Sequence, residues 1–470
     1  MSWLIHLPGY TAFEWLEIVQ RELVLFSGVW FLLGTVDELL VDLSWLWLLA
    51  TGRGRAETFN GDPAARLSGR TAVLVPAWRE AAVVGAMLAH CRKSWPQDEL
   101  RLYAGCYRND PDTLAALVEG AGSDPRVRIV VHGALGPTTK ADCLNRLYAA
   151  LVDDERREGI RARTVLLHDA EDMVHPAELA VVDQALADAD FVQLPVVPVQ
   201  QASSRWIAGH YGDEFAEAHA KGMVVRNHLG AGLPAAGVGC GFARDVLERI
   251  AFARNRREGA SPFAAECLTE DYELGLMVAE FGGRSRFLRV RDERGELVAT
   301  RELFPAELGF AVRQKTRWMH GIAFQGWDRL GWSKRPAELW MRLRDRRGPL
   351  TALVLASAYL MMVLWAVLLV ADLFDLHQPR PLSSGLRALL WLNFAGLVWR
   401  ALFRFGFTAS VYGVAEGLMA VVRIPVANVI AIIAGRRATM AYARSLRGAQ
   451  TTWEKTVHRE HPTTLRPRAA

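Results

Sequence analysis

From Leu350 to Ala371 the chain reads LTALVLASAYLMMVLWAVLLVA, without a charged residue, directly after the arginine-rich MRLRDRRG. A bilayer core takes about 20 such residues as a helix, so this segment predicts a membrane span. Positive residues stay on the cytoplasmic side, which directs the helix outward from Arg342, Arg344, Arg346 and Arg347. A return crossing is expected over 386–404, where an apolar run ends in Arg400 and Arg404, leaving a short outward loop at 372–385. Residues 23–50 are also long enough to cross, although Asp37, Glu38 and Asp42 interrupt them. Arg53 and Arg55 place the end of that helix in the cytoplasm. Its acidic, tryptophan-rich start lacks the features of a cleaved signal peptide, so it is expected to stay in the chain. Residues 411–435 carry Glu416, Arg423 and Pro425 in an apolar run, which fits an interfacial or re-entrant helix, and a basic cytoplasmic tail is expected over 436–470.

Composition agrees with a membrane protein. Hydrophobic residues fill 51% of the 470 positions, and tryptophan occurs 16 times. The net charge of +4 is small, and basic residues gather beside apolar runs, which suits a lipid bilayer and argues against nucleic acid. Cys91, Cys106, Cys143, Cys240 and Cys267 are scattered, with no CxxC pair, so reduced thiols are expected and not zinc ligands or disulfides.

Residues 55–348 form one unit of the size of an α/β domain. Short apolar runs TAVLVPA, LRLYAGCY, RVRIVVH and ARTVLL alternate with helical patterns, which predicts a mostly parallel sheet with helices on both faces. Ligands of such sheets sit beyond the carboxyl ends of the strands. At one such end stands HDAED, with Asp169, Glu171 and Asp172. Asp169 and Glu171, two apart, project to one side, and converging carboxylates suit a hard divalent cation shared with a diphosphate. A solvated, helix-capping turn would look the same when taken alone.

The motifs D-A-E-D (169–172), T-E-D (269–271) and Q-K-T-R-W (314–318) together resemble the DxD, TED and QxxRW motifs of membrane-bound family 2 glycosyltransferases, which include cellulose and hyaluronan synthases. VPAWRE, NDPDT, GPTTKADCLN, HDAEDMVHP, GVGCGF, LTEDYELG, RQKTRWMHGIAFQG and WEKTVH are similar to the bacteriophage N4 adsorption protein B group of that family. The resemblance implies a GT-A fold, a nucleotide-sugar donor, a saccharide acceptor and Mn²⁺ or Mg²⁺ held by Asp169, Glu171 or Asp172. It implies donor contacts from Glu80, Asp110, Lys140, Asp142, Asp169 and Arg317, a catalytic set of Asp271 and Glu270, and acceptor contacts from Gln314 and Trp318. Asp271 would be the general base, and direct displacement by the acceptor would invert the anomeric centre. Arg317 offers a fork for phosphate and Trp318 a face for a sugar ring.

Each residue has a plainer reading. Glu80 is an acid at a helix start, Asp110 a turn residue before Pro111, Lys140 an exposed lysine at a helix start or a partner for Asp142, Thr269 a helix cap, and the Arg317–Trp318 pair an interfacial anchor. The run Gly237–Gly241 lacks the context of a dinucleotide loop and is expected to be a flexible acceptor-side loop. Glu171 stands where many relatives carry aspartate, and the regulatory domain of longer members, which resembles cyclic-dinucleotide sensors, is expected to be absent because the sequence stops at Ala470. The expectation is therefore a multi-pass protein of the bacterial inner membrane, an inverting hexosyl- or N-acetylhexosaminyltransferase. Its donor would be a UDP sugar, its product a cell-surface or secreted polysaccharide, extended by repeated addition and exported with a partner protein. Two other readings are an HD-type metal phosphohydrolase built on His168 and Asp169 with His132 and His175, and a catalytically silent membrane scaffold.

Overall fold

Leucine- and valine-rich segments bounded by turn residues build the central sheet of the computed structural model, which describes residues 10–255 and 261–448. Strands β1 (Arg70–Pro76), β2 (Leu100–Tyr107), β3 (Val127–His132), β4 (Ala162–Leu167), β5 (Phe191–Gln193), β6 (Cys240–Ala243) and β7 (Ser285–Phe287) lie in the order β3-β2-β1-β4-β6-β5-β7. Pairing is parallel except at β6, which runs antiparallel to β4 and β5. Alternation along β1 sends Val73 and Val75 into one apolar layer with Met87, Leu88 and Trp95, and Ala72 and Leu74 into the other with Leu144, Leu147 and Leu151. Each such Leu or Val contributes about 1.5–3 kcal/mol by leaving water. The mostly parallel sheet covered on both faces is the architecture expected from the sequence. A small second sheet pairs Val196–Pro198 in parallel with Thr300–Glu302. Met173 bridges to Arg301, which lays that second strand beside the turn after β4.

The helices that matter here are α1 (Ala12–Ala50), α2 (Lys140–Glu158), α3 (Glu270–Glu280), α4 (Leu308–Met319), α5 (Pro336–Arg346), α6 (Gly348–Leu373), α7 (Ser384–Tyr412), α8 (Val414–Val422) and α9 (Ile424–Ser445). Four of them, α1, α6, α7 and α9, are long and apolar enough to cross a membrane. Helix α1 begins at Ala12, well before the expected 23, because Thr11 and Glu14 form a capping box there. The three acids that interrupt it are all paired. Asp37 meets Arg347 at 2.5 Å and Trp340 Nε1 at 2.7 Å, and also pairs with Arg344. Glu38 meets Arg344 and Arg400, each at 2.8 Å, and Asp42 meets Lys221 at 2.5 Å and Trp399 Nε1 at 2.8 Å. Carboxylates near a bilayer persist when opposite charges and donors surround them.

The single interfacial helix expected over 411–435 is instead two helices meeting at Arg423. That side chain is fully buried, and its guanidinium is tied to Asp213 at 2.7 and 2.9 Å and to Glu416 at 2.8 Å. Pro425 sits in the first turn of α9, where its missing N–H costs nothing. Helix α9 continues past 436, where a basic tail was expected, because one face lies on the α/β unit: Ile430 packs with Val196, Tyr211 and Phe304, and Tyr442 stacks on Phe324 at 4.5 Å. WEKTVH, at 453–458, lies outside the described residues. All five cysteines are free and buried.

Candidate active site

Strands β1 and β4 are neighbours, so the segments that leave their carboxyl ends share one crevice. Trp78 and Glu80 follow β1, and Asp169 and Glu171 follow β4. With Lys140, Asp271, Gln314, Arg317 and Trp318 they line a single cleft, which Ala236, Val238, Glu302 and Phe304 complete. Eight of the expected site residues thus converge: Glu80, Lys140, Asp169, Glu171, Asp271, Gln314, Arg317 and Trp318. Asp110, Asp142, Asp172 and Glu270 do not line it.

Lys140 opens helix α2, and its Nζ stands 2.6 Å from Asp169 Oδ1. Asp142 is not its partner. The Asp142 carboxylate closes a capping box with Thr139, accepting the Thr139 N–H at 3.3 Å, and so secures the helix start that presents Lys140. Burial opposes the charge on Lys140, but Asp169, Glu270 and Asp271 outweigh it and hold the ammonium above its ordinary range.

Asp172 is turned away from the cleft, which corrects its expected place among the metal ligands. Its Oδ2 accepts the Asp169 N–H at 3.0 Å and faces His168 Nδ1 at 2.7 Å, while His168 Nε2 faces Glu178 Oε1 at 2.8 Å. His168 is fully buried. Burial disfavours its charge, yet Glu178 and Asp172 raise its pKa to about 10, and the ring ties the acidic turn to the helix Glu178–Ala185. With both nitrogens engaged, His168 has none left for a metal. His132 stacks on Tyr107 at 4.9 Å and His175 accepts the Ala177 N–H at 3.1 Å, so the phosphohydrolase reading has no histidine cluster behind it.

Asp110 is likewise structural in this geometry. It accepts the Arg79 N–H at 2.5 Å and the Thr113 N–H at 3.4 Å, capping the helix Pro111–Ala121 while holding Arg79 at a φ of +55°. The Glu80 N–H donates to Thr113 Oγ1 at 2.9 Å. Asp110 thereby sets the loop from which Trp78 and Glu80 reach the cleft.

In the first turn of α3, Asp271 Oδ1 accepts the Tyr272 N–H at 2.7 Å. Its other oxygen lies against Gly237, where a Cβ would collide with it and come within 3.3 Å of Lys140 Nζ. Gly237 also has a φ of +82°, a second reason for glycine. The loop expected to be flexible is therefore fitted against the acid. Burial pushes the Asp271 carboxyl up, and Lys140 pulls it back; Glu270, buried behind it, is raised to about 7 by burial and by Asp271. Glu270 Oε1 has no hydrogen-bond partner among the described residues. Thr269 makes no side-chain cap; it packs against Gly321, where a Cβ would strike it, so the TED segment and the segment after α4 interlock.

On α4, Gln314, Arg317 and Trp318 share one face, as their spacing predicts. Gln314 Oε1 and Arg317 Nε are buried polar atoms without a partner among the described residues. Trp318 joins an aromatic wall with Tyr211 at 6.0 Å, Phe304 at 6.3 Å and Phe215 at 6.4 Å between ring centroids.

Glu302 is the cleft residue that motif reasoning missed. It is buried, and burial together with Asp172, Glu171 and Asp169 pushes its carboxyl well above the usual range. The available signal was faint: one acid at the end of the three-residue strand Thr300–Glu302 that precedes α4.

Among the described residues no three His, Cys, Asp or Glu side chains stand close enough to hold an ion unaided. Mg²⁺ and similar ions commonly use one or two carboxylates and take further oxygens from a diphosphate. Asp169 and Glu171, acids at the cleft wall, fit that kind of donor set.

The family model described as Glycosyltransferase like family 2 matches residues 69–321. Bacteriophage adsorption protein B of Escherichia coli K12 and bacteriophage N4 adsorption protein B of Escherichia coli O157:H7 are each 34% identical over 408 residues, covering 82% of this chain and 54% of theirs. The chain spans about half the length of these relatives. Its fold is similar to that of the mannosyltransferase PcManGT from Pyrobaculum calidifontis, solved in complex with GDP-Man and Mn²⁺, with a TM-score of 0.51 at 18% identity over 86% of this chain and 98% of that one. The likeness identifies the sheet and its flanking helices as a GT-A fold. With a family match across more than half of its length, the chain belongs to glycosyltransferase-like family 2.

Proposed function

We propose that the chain is an inverting glycosyltransferase that moves a sugar from a nucleotide sugar, of the UDP class, onto a growing cell-surface or secreted saccharide. The observation that carries this reading is the convergence of Lys140, Asp169, Asp271 and Arg317 on one cleft. Lys140 and Arg317 neutralise the diphosphate of the donor, and Glu80 and the loop set by Asp110 hold its nucleoside. A divalent cation held by Asp169 and Glu171 would supply Lewis-acid stabilisation of the leaving diphosphate.

Asp271 takes the proton of the acceptor hydroxyl as that oxygen attacks the anomeric carbon from the face opposite the diphosphate. Its raised pKa, caused by burial and opposed by Lys140, makes it a stronger base than an ordinary aspartate. Glu270 sits behind it as a positioning residue. The wall of Trp318, Phe304 and Phe215 suits the apolar face of an acceptor sugar, and Gln314 suits its hydroxyls. Membrane helices on both sides of the unit support an enzyme held at the bilayer, its cleft on the cytoplasmic side where the arginines gather. With few spans for a channel of its own, such an enzyme would hand its product to an export partner.

Membranes containing the protein are offered a panel of labelled nucleotide sugars with Mn²⁺ or Mg²⁺. Transfer to polymer or acceptor is expected for one of them. Asp271→Asn should keep UDP and Mn²⁺ binding while cutting transfer roughly 10²-fold or more, and Asp169→Asn should lose both. Near-parent transfer by Asp271→Asn would overturn the base assignment. A parent that binds nucleotide and metal but transfers nothing would favour the silent-scaffold reading.

A further inference from the structure

Glu302 is 9% exposed and lies in the strand Thr300–Glu302, lining the same cleft as Asp169, Glu171, Phe304 and Trp318. On extended chain, Thr300, Glu302 and Phe304 project to one side. Thr300 is packed against Gly239, and Phe304 stacks on Tyr211 at 4.7 Å, so Glu302 stands between the acidic turn and the aromatic wall. Its carboxyl opens into that cleft, where a ligand can reach it.

We infer that Glu302 is a specificity-determining residue whose carboxyl binds hydroxyl groups of the donor's sugar ring, an inference that rests on the glycosyl-transfer reading above. The leaving diphosphate belongs with Lys140 and the acidic turn, and the acceptor belongs against Trp318. The transferred sugar must lie between them, and Glu302 is the acid found there. A metal-ligand role would instead weaken nucleoside diphosphate binding with Mn²⁺ as much as nucleotide-sugar binding. Hydroxyls are the other groups that a carboxylate binds strongly, through short charge-assisted hydrogen bonds. A site built around such a bond also rejects sugars that lack the matching hydroxyl.

The test measures affinity of the purified protein for UDP, UDP-glucose, UDP-N-acetylglucosamine, GDP and GDP-mannose, each with Mn²⁺, in the parent and in Glu302→Ala and Glu302→Gln. A residue that touches the sugar alone should weaken the parent's preferred nucleotide sugar roughly 10- to 100-fold in Glu302→Ala while its nucleoside diphosphate binds as before. Glu302→Gln, which keeps shape and hydrogen bonding, should fall between, and retained diphosphate binding certifies that each variant is folded. Equal weakening of nucleotide and nucleotide sugar would overturn the inference in favour of a metal or structural role. Unchanged affinity for both would also overturn it. If the parent binds none of the nucleotides, the glycosyl-transfer reading itself falls.

Discussion

Lys140 Nζ and Asp169 Oδ1 meet at 2.6 Å, joining the first turn of α2 to the turn that ends β4. The ammonium covers the carboxylate that a cation would have to approach. A metal at Asp169 would therefore compete with the lysine, and a bound diphosphate would resolve the competition by giving Lys140 another anion.

Lys140→Met should accordingly bind Mn²⁺ alone more tightly than the parent, by roughly tenfold, a modest share of the ~4 kcal/mol between unit charges 4 Å apart at an effective dielectric near 20. The same variant should bind UDP with Mn²⁺ more weakly. Calorimetric titration with and without nucleotide separates the two effects. Weaker binding of Mn²⁺ alone would contradict the competition.

As the proposed base, Asp271 would work only when ionised, and its folded-state pKa lies above the ordinary carboxylate value. Transfer should therefore decline as pH falls through a limb that lies above about pH 4. Lys140 favours the ionised form, so Lys140→Gln should move that limb to higher pH. A pH profile of kcat/KM on both proteins measures this. A limb that stays at or below the ordinary value would rule out Asp271 as the titrating base.

Gly237→Ala brings a Cβ into Asp271 Oδ2 at a backbone φ of +82°. Displacing a general base by about 1 Å can cost 10²-fold. Transfer should fall by that order, with binding of UDP and Mn²⁺ less affected. Parent-like transfer would mean that the loop moves freely and Asp271 is not held by it.

His168 has a pKa raised from 6.5 to about 10 in the folded protein, so its contribution to stability is complete below about pH 6.5 and is lost as pH rises towards 10. His168→Leu removes the imidazole from between Asp172 and Glu178 in the core and should cost about 3–5 kcal/mol, with less of the parent's decline at alkaline pH. Thermal unfolding in detergent from pH 6 to pH 10 shows both. Parallel curves for parent and variant would exclude a charged His168.

Orientation can be read by labelling, although not through the native cysteines, all of which are buried. Gln378→Cys, in the exposed loop between α6 and α7, should react with a membrane-impermeant maleimide added to intact cells. Arg294→Cys, on the exposed far side of the GT-A unit, should react only after lysis. The reverse pattern would invert the topology.

The central strands were legible because their apolar residues are contiguous: LRLYAGCY became β2 residue for residue. The orientation of the acidic turn was not. Spacing along HDAED cannot say that Asp172 faces inward, since that depends on Glu178, which folds back to complete the cage around His168. Asp142 and Asp110 were recognised as acids near the site, but their oxygens are consumed by local N–H groups, a competition that sequence alone leaves open. Glu302 carried no motif at all. Its place follows from a strand pairing between residues about a hundred positions apart.

The charges of α1 set an order on how the molecule is made. Lys221 follows Asp42 by 179 positions, and Arg344 and Arg400 follow Glu38 by 306 and 362. A ribosome has therefore released the whole catalytic unit before the acids of the first helix acquire their arginines. Until α5 and α7 emerge, that end of α1 carries its acids without those arginines. Closure of the ion cluster is thus a late assembly step, and a chain cut before Arg344 would leave the first helix without most of the charges that anchor it.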